Sequence, residues 1–243
     1  MTIFCYTGIP GSGKTYHAVR DMCFNRSAVI TNVHVNRIDD CAVLPLHEIT
    51  PEMLMQFSNW WFQSHSYREN SLLLVIDEAQ LLFNSRNWND KSRMGWIAFM
   101  SQHRKYGYRI ILITQDFKMI DKQFRSLVEF EVYHTAASSI WLPMRLLAMF
   151  GFHLTCANRR FPNDESQTVI QRDLYHVSKR YFRHYDSQED LTARDFSDVD
   201  ISALTSQFEK NNPPDSRSKR SLLRSRIRRS GKEREKSPLV SPN

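Results

Sequence analysis

The chain has 243 residues, of which 41% are hydrophobic and 24% are charged, with a formal net charge of +7. This length suits one α/β domain followed by a tail. Residues 213–243 hold ten basic and three acidic side chains, whereas residues 1–212 hold 23 of each sign, which argues against a body that binds nucleic acid generally. The cysteines lack paired or metal-ligand spacing, which favours buried thiols in a reducing compartment over a disulfide framework; they are Cys5, Cys23, Cys41 and Cys156.

The first predicted elements are a strand, a glycine-rich loop and a helix. The β-prone run Thr2–Tyr6 precedes the loop, and Lys14–Phe24 follows it with a helical pattern. The loop TGIPGSGKT fits the phosphate-loop pattern G-x-x-x-x-G-K-[ST], and it lies between strand and helix as that loop requires. The predicted nucleotide-binding residues are Gly8, Gly11, Ser12, Gly13, Lys14 and Thr15.

Each residue type in this loop has a physical role in binding ATP with Mg²⁺. Glycines allow backbone angles that bring consecutive N–H groups onto one anion. Lys14 is expected at the β- and γ-phosphates, where it would also assist catalysis, and the Thr15 hydroxyl is a predicted ligand of Mg²⁺. The alternative is a glycine turn that matches the pattern by chance.

Helical and strand patterns alternate along the next hundred residues, which favours a parallel sheet covered by helices. Ser71–Gln80 is a near-continuous apolar run, typical of a central strand buried on both faces. The other predicted elements are strands at Ala28–Val35, Arg109–Asp116 and Glu129–His134, a helix at Pro51–His65, and a helix from Ser92 that is closed by Gly107. We therefore predict an α/β P-loop NTPase with a mainly parallel central sheet flanked by helices.

Two carboxylates follow the apolar strand, at the sheet edge where open α/β sheets bind their ligands. Asp77 is the predicted Mg²⁺ residue, directly or through water, and Glu78 is the predicted base for the attacking water. Gln115 ends the next strand and is a candidate sensor of the γ-phosphate. The structural alternatives are an acidic strand end held in a salt bridge and a strand-end hydrogen bond of Gln115.

Two longer segments resemble the assembly ATPases of filamentous bacteriophages, the family that contains the zonula occludens toxin (Zot) N-terminal domain. They are Phe83–Arg93 and Ser101–Ser126, and the resemblance extends from the phosphate loop to Leu174–Leu191. The resemblance implies an inner-membrane ATPase that helps to extrude single-stranded-DNA virions. It also implies a cytoplasmic ATPase domain followed by a transmembrane helix, and no such helix follows residue 191 in this sequence.

Motors of this kind act as oligomers, in which a neighbour's arginine can reach the γ-phosphate. Arg104 is the first candidate for this catalytic role in a homo-oligomer, with Arg93 and Arg125 as the others. The alternative is that these arginines are surface residues paired with nearby acids such as Asp90 or Asp121. Further implied partners are other phage assembly proteins at the inner membrane, and a coat protein or single-stranded DNA complex.

Two apolar segments have simpler explanations than a special function. The aromatic residues Trp60, Trp61 and Phe62 could stack single-stranded DNA, but their helical spacing favours the core. Ile140–Ala157 is interrupted by proline, arginine, glycine and histidine, so a buried hairpin or a partner surface is favoured over a membrane span. Contact of this segment with the membrane interface stays open.

We place a P-loop ATPase domain at residues 1–200, and a linker with a basic tail at residues 201–243. The tail has a helix-breaking pair at Pro213-Pro214 and a short apolar stripe among arginines. Three readings stay open: a helix on an anionic membrane, a disordered tail, or an arm that binds DNA. The start MTIFCYTG lacks a secretory signal, so we expect the catalytic part in the cytoplasm. The resemblance implies that it acts at the cytoplasmic face of the host inner membrane.

Three functions stay open, and the resemblance to the phage assembly ATPases favours the first of them. The first is an ATP-driven motor for virion assembly and export through the host inner membrane. The second is an ATP-dependent DNA translocase or packaging motor, and the third is an ATP-binding scaffold that does not hydrolyse.

Overall fold

The computed structural model describes residues 2–24, 28–36, 38, 40–84, 92–136, 154–162, 166, 168–178, 181, 184, 205 and 208. Within these ranges the α-helices are α1 (Lys14–Phe24), α2 (Pro51–Ser64), α3 (Ser92–Gln102) and the short α4 (Lys122–Arg125). Two 3₁₀ turns, η1 (Ala79–Leu81) and η2 (Phe117–Met119), follow strands. The strands are β1 (Ile3–Thr7), β2 (Ala28–Thr31), β3 (Cys41–Val43), β4 (Leu72–Ile76), β5 (Tyr108–Ile113), β6 (Phe130–Ala136), β7 (Leu154–Arg160) and β8 (Val169–His176).

These strands form one sheet in the order β3-β2-β4-β5-β1-β6-β7-β8. The six strands from β3 to β6 pair in parallel, and β7 and β8 extend the sheet with antiparallel pairs. In the centre, Cys5 of β1 pairs with Leu112 of β5 on one side and with Glu131 of β6 on the other. The prediction of a mainly parallel central sheet flanked by helices is confirmed.

Apolar residues from both faces of the sheet make two core clusters. Leu72, Leu74 and Ile76 of β4 face the cluster that includes α2 and α3, and Leu73 and Val75 face the cluster that includes α1. A strand buried on both faces needs no alternation, which is why β4 reads as a continuous apolar run. Its carboxyl end therefore holds Asp77 in a fixed place beside the phosphate loop.

The helix α2 shows how local sequence sets an element boundary. Thr50 caps its start by accepting a hydrogen bond from Met53 N at 3.2 Å, and Pro51 occupies the first turn, where no backbone donor is needed. Trp61 is buried, and Trp60 and Phe62 pack against the same core. The core explanation of this aromatic group is confirmed, because the rings lie inside the domain rather than on an open surface.

Several predicted boundaries are wrong by a few residues. The strand predicted at Ala28–Val35 ends at Thr31, and the strand predicted at Arg109–Asp116 ends at Ile113. The helix that starts at Ser92 ends at Gln102, and a series of turns then leads to Gly107, which has a left-handed φ of 74°. Beyond the ends of β2 and β4, the Asn32 side chain forms two hydrogen bonds with the backbone of Asp77, in place of the pairing between the strands.

The antiparallel strands β7 and β8 and the short β3 were not predicted. Leu154–Ala157, the last residues of the predicted hairpin or partner surface at Ile140–Ala157, belong to β7; the other residues of that segment lie outside the described residues. Phe208 lies beyond the boundary predicted at residue 200, yet it is buried against Phe57, with ring centroids 5.0 Å apart. The packed unit therefore includes residue 208.

The predictions for the basic tail concern residues outside those that the structure describes. In the part of the chain that is described, none of the helices combines the length and the apolar character needed to span a bilayer. All four cysteines lie among the described residues; Cys5, Cys41 and Cys156 are buried as predicted, whereas Cys23 is only partly buried.

Candidate active site

The phosphate loop lies between β1 and α1, at the carboxyl edge of the sheet. Gly8, Gly11 and Gly13 have φ angles of 138°, 74° and 93°, which favour glycine over residues with a side chain. The loop is tied to the next strand because Gly8 N donates to the Gln115 carbonyl at 3.3 Å. The predicted backbone form of the loop is therefore present, and it leads directly into the first turn of α1.

Two of these glycines are also required by packing. A Cβ on Gly8 would overlap the backbone carbonyl of His134 in β6, and a Cβ on Gly13 would lie 3.0 Å from Thr155 Oγ1 in β7. Gly11 has no atom within 4 Å of such a Cβ. The antiparallel extension of the sheet thus supports one side of the phosphate loop.

Lys14 lies over the loop as its spacing predicts. Its Nζ donates to the carbonyl of Gly8 at 2.8 Å and to that of Ile9 at 3.1 Å. Burial lowers the pKa of the Lys14 ammonium, and the charges of Asp77 and Glu78 oppose this effect. The Ser12 hydroxyl is buried without a hydrogen-bond partner. The loop glycines, this ammonium and the unpaired hydroxyl fit a phosphate group.

Thr15 and Asp77 come together although 62 residues separate them. Thr15 Oγ1 donates to Asp77 Oδ2 at 3.0 Å, and Glu78 N donates to Asp77 Oδ1 at 2.8 Å. Burial raises the pKa of the Asp77 carboxyl, and these two hydrogen bonds oppose the rise. A hydroxyl and a carboxylate at one point are oxygen donors of the kind that Mg²⁺ prefers, so the predicted metal residues fit that ion.

Asn32 is a member of this site that sequence reasoning missed. Its Nδ2 donates to the Asp77 carbonyl at 2.9 Å, and its Oδ1 accepts from Asp77 N at 2.7 Å. Asn32 follows β2 and Asp77 follows β4. Because these two strands are parallel neighbours, Asn32 and Asp77 lie at the same edge of the sheet. A polar residue directly after that neighbouring strand was the signal available in the sequence.

Glu78 has an unusual backbone conformation. Its φ of 52° and ψ of 44° are left-handed, which costs a non-glycine residue about 1–3 kcal/mol. Its carboxylate accepts a hydrogen bond from the Gln80 amide. This conformation directs the chain from β4 into η1, immediately after Asp77.

Gln115 lies next to the phosphate loop through its backbone. Its carbonyl accepts from Gly8 N, while its side chain is exposed. The structure therefore brings Gln115 to the predicted site, and its role as a γ-phosphate sensor stays a prediction.

The three candidate arginines lie in different places. Arg104 precedes β5 at the edge opposite to the phosphate loop, and its exposed guanidinium pairs with Glu129 at 3.3 Å. Arg93 pairs with Asp121 at 2.8 Å and joins α3 to α4, which is the structural alternative named for it. Arg125 lies over the Phe117 ring, 5.9 Å from its centroid. Arg104 is out of reach of its own phosphate loop, so its proposed role requires a neighbouring subunit.

A buried histidine pair lies beside the end of β1, just before the phosphate loop, and sequence reasoning missed it. His17 Nδ1 and His134 Nε2 are 2.8 Å apart, and His134 Nδ1 donates to the Thr7 carbonyl at 3.2 Å. Burial lowers the pKa of His17 to about 4 and that of His134 to about 3. Both rings are therefore neutral near pH 7, and the hydrogen-bond network assigns the shared proton to His17 Nδ1.

Comparisons with known proteins identify the family of this chain. Residues 2–190 match the family model described as Zonular occludens toxin (Zot). The chain is 34% identical to the Gene 1 protein of Enterobacteria phage fd over 156 residues, which cover 59% of this chain and 44% of that protein. It is 45% identical to the Gene 1 protein of Salmonella phage IKe over 73 residues, which cover 30% of this chain and 20% of that protein. The chain therefore matches less than half of the length of these relatives.

One solved structure supports the fold. The crystal structure of the N-terminal domain of zonular occludens toxin from Neisseria meningitidis aligns with a TM-score of 0.50 and 18% identity. The alignment covers 76% of this chain and 98% of the solved chain. This chain therefore shares the fold of that domain.

Proposed function

Because this chain belongs to the zonular occludens toxin (Zot) family, we propose that it is a phage ATPase that drives assembly and export of filamentous virions through the host inner membrane. The single observation that carries the ATPase proposal is the 3.0 Å hydrogen bond from Thr15 to Asp77, directly beside the Lys14 ammonium. The similarity to phage Gene 1 proteins supports the assembly role.

The residues divide the work of ATP hydrolysis among them. The loop amides and Lys14 bind the β- and γ-phosphates, and Lys14 stabilises the charge that develops on the leaving oxygen. A water molecule attacks the γ-phosphorus, the bond to the β-phosphate oxygen breaks, and the water's proton passes to the Glu78 carboxylate. The products are ADP and inorganic phosphate. Bound Mg²⁺, held by Thr15 and Asp77, would supply further charge neutralisation.

Asn32 and the histidine pair hold this machinery in position. The two hydrogen bonds of Asn32 fix the backbone of Asp77, and His134 fixes the carbonyl of Thr7, just before the loop. Gln115 lies beside the loop, where a polar side chain could detect whether the γ-phosphate is present.

The proposal includes a homo-oligomer in which Arg104 acts on a neighbour's nucleotide. The proposed location is the cytoplasmic face of the inner membrane, with other phage assembly proteins and the coat protein or DNA complex as partners. The basic residues of the tail support contact with an anionic membrane, since each Lys or Arg near such a surface contributes about 1 kcal/mol.

The test is a phage whose own copy of this protein carries Glu78→Gln. We expect phage DNA to accumulate in the cell while virion release stops, because the variant would bind ATP without turning it over. Lys105→Ala, which removes an exposed cation before β5, is the matched control and should release virions normally. Normal release from the Glu78→Gln phage would contradict the proposal.

A further inference from the structure

A basic cleft has no part in the function described above. Its volume is about 540 Å³, and it runs between the η2–α4 segment, the first residues of β6 and the last residues of β7. The lining residues that carry the argument are Lys118, Lys122, Arg125, Arg160, Phe117 and Phe161.

Three of the cations in this cleft have no acidic partner within the described ranges. Lys118 and Lys122 are exposed, and the buried Nε of Arg125 has no hydrogen-bond partner. Arg160 is different, because it forms two hydrogen bonds with the Glu131 carboxylate at 2.8 and 2.9 Å. The lining also includes the exposed carboxylate of Asp116, so the four cations exceed the two carboxylates by two, although the charges of residues 1–212 balance overall.

Aromatic rings lie beside these cations. Phe161 is 53% exposed and is held by stacking on Phe130, with ring centroids 5.5 Å apart. Phe117 lies below the Arg125 guanidinium. Cations combined with an exposed, supported ring are typical of surfaces that bind single-stranded nucleic acid, because phosphates meet the cations and a base stacks on the ring.

The wall of the cleft connects to the phosphate loop. Glu131, which pairs with Arg160 in the cleft, also accepts a hydrogen bond from Thr7 Oγ1 at 2.5 Å. Thr7 is the last residue of β1, and Gly8 follows it. Glu131 is 4% exposed, so this link is protected from water.

We propose that this cleft binds single-stranded DNA, with phosphates on Lys118, Lys122 and Arg125 and a base on Phe161. The choice of DNA over RNA rests on the proposed function in virion assembly. An acidic polypeptide is the competing occupant, and the exposed ring of Phe161 favours nucleic acid because an acidic chain has no base to stack on it.

The experiment measures binding of a fluorescein-labelled 15-nucleotide thymidine strand to the full chain by anisotropy, at several salt concentrations and without nucleotide. Each phosphate contact contributes roughly 0.7 to the slope of log affinity against log salt. The Lys118→Ala/Lys122→Ala variant should therefore have a slope that is smaller in magnitude by about 1.4. The matched control is Arg68→Ala/Lys105→Ala, which removes two exposed cations that do not line the cleft and should keep the slope.

A second variant tests stacking without a change in charge. Phe161→Ala should weaken binding at least about fivefold with an unchanged salt slope. Phe24→Ala removes another exposed ring, 66% exposed and outside the cleft, and should bind like the parent. Urea unfolding of every variant checks that it is folded, and the basic tail is present throughout.

Three results would overturn the proposal. They are an unchanged slope in the lysine variant, an equal change in its control, and displacement of the DNA by polyglutamate at equal charge concentration. Because nucleotide is absent, a failure of ATP hydrolysis would leave these outcomes unaffected, so the two proposals fail separately.

Discussion

The substitution Gly13→Ala tests how closely the phosphate loop packs against β7. Gly13 has a φ of 93°, and a Cβ on it would lie 3.0 Å from Thr155 Oγ1 and 3.2 Å from Thr155 Cγ2. The left-handed conformation costs a residue with a side chain about 1–2 kcal/mol, and overpacking adds about 1–3 kcal/mol. We therefore expect Gly13→Ala to lower the free energy of unfolding by about 2–5 kcal/mol.

A second substitution separates these two costs. Thr155→Ala removes both close atoms and leaves the Cβ of residue 155 at 3.6 Å, which is an ordinary contact. In that background Gly13→Ala should cost only the backbone term, so the two changes should couple by about 1–3 kcal/mol. Gly11→Ala is the control, because its φ is 74° but no atom lies within 4 Å of its Cβ.

The assay measures unfolding in urea for the single and double variants, with tryptophan fluorescence as the signal. The Gly11→Ala and Thr155→Ala changes should add within about 0.5 kcal/mol. If Gly13→Ala and Thr155→Ala also added within that limit, the loop would not pack on β7, and this reasoning would be refuted.

The remaining predictions concern pH, oligomer contacts and the tail. The pKa of His17 falls from 6.5 to about 4 on folding, so its stabilisation is present above pH 6.5 and is lost as pH falls towards 4. Between pH 7 and pH 5 the free energy of unfolding should fall by about 2 kcal/mol through His17. The His17→Gln variant should therefore show a flatter dependence of the urea midpoint on pH, and an unchanged dependence would contradict the lowered pKa of His17. Mixing Lys14→Ala with Arg104→Ala protein should restore some ATP hydrolysis, and no recovery between folded oligomers would remove Arg104 from the site. Full-length protein should float with anionic vesicles better than protein ending at Asn212; equal flotation would eliminate the tail as the membrane contact.

The sequence predicted the parts of the site that local pattern encodes. The loop from Gly8 to Thr15 combines glycine, lysine and hydroxyl at fixed spacing, and β4 places Asp77 at its carboxyl end. Such features depend on neighbours in the chain and on the general behaviour of parallel sheets. They are therefore visible before any tertiary contact is known.

Features that depend on distant contacts were not predictable in the same way. Asn32 acts on Asp77 across 45 residues, and His17 meets His134 across 117 residues. Both pairs arise from strand order, which a single sequence does not specify. The strands β7 and β8 were missed because polar and charged residues such as Arg159, Arg160 and Arg172 interrupt their sequences, so they lack the apolar run that identified β4.

We propose that this chain hydrolyses ATP at the phosphate loop with Glu78 as the base. The most direct measurement combines filter retention of ATP with phosphate release, for the parent, Lys14→Ala and Glu78→Gln, with Lys105→Ala as the matched control. We expect Lys14→Ala to retain no ATP, and Glu78→Gln to retain it while releasing phosphate roughly 100-fold or more slowly. An unchanged rate of phosphate release in Glu78→Gln would show that the Glu78 carboxylate is not the base. Normal binding and hydrolysis of ATP by Lys14→Ala would contradict the assignment of the site to the phosphate loop.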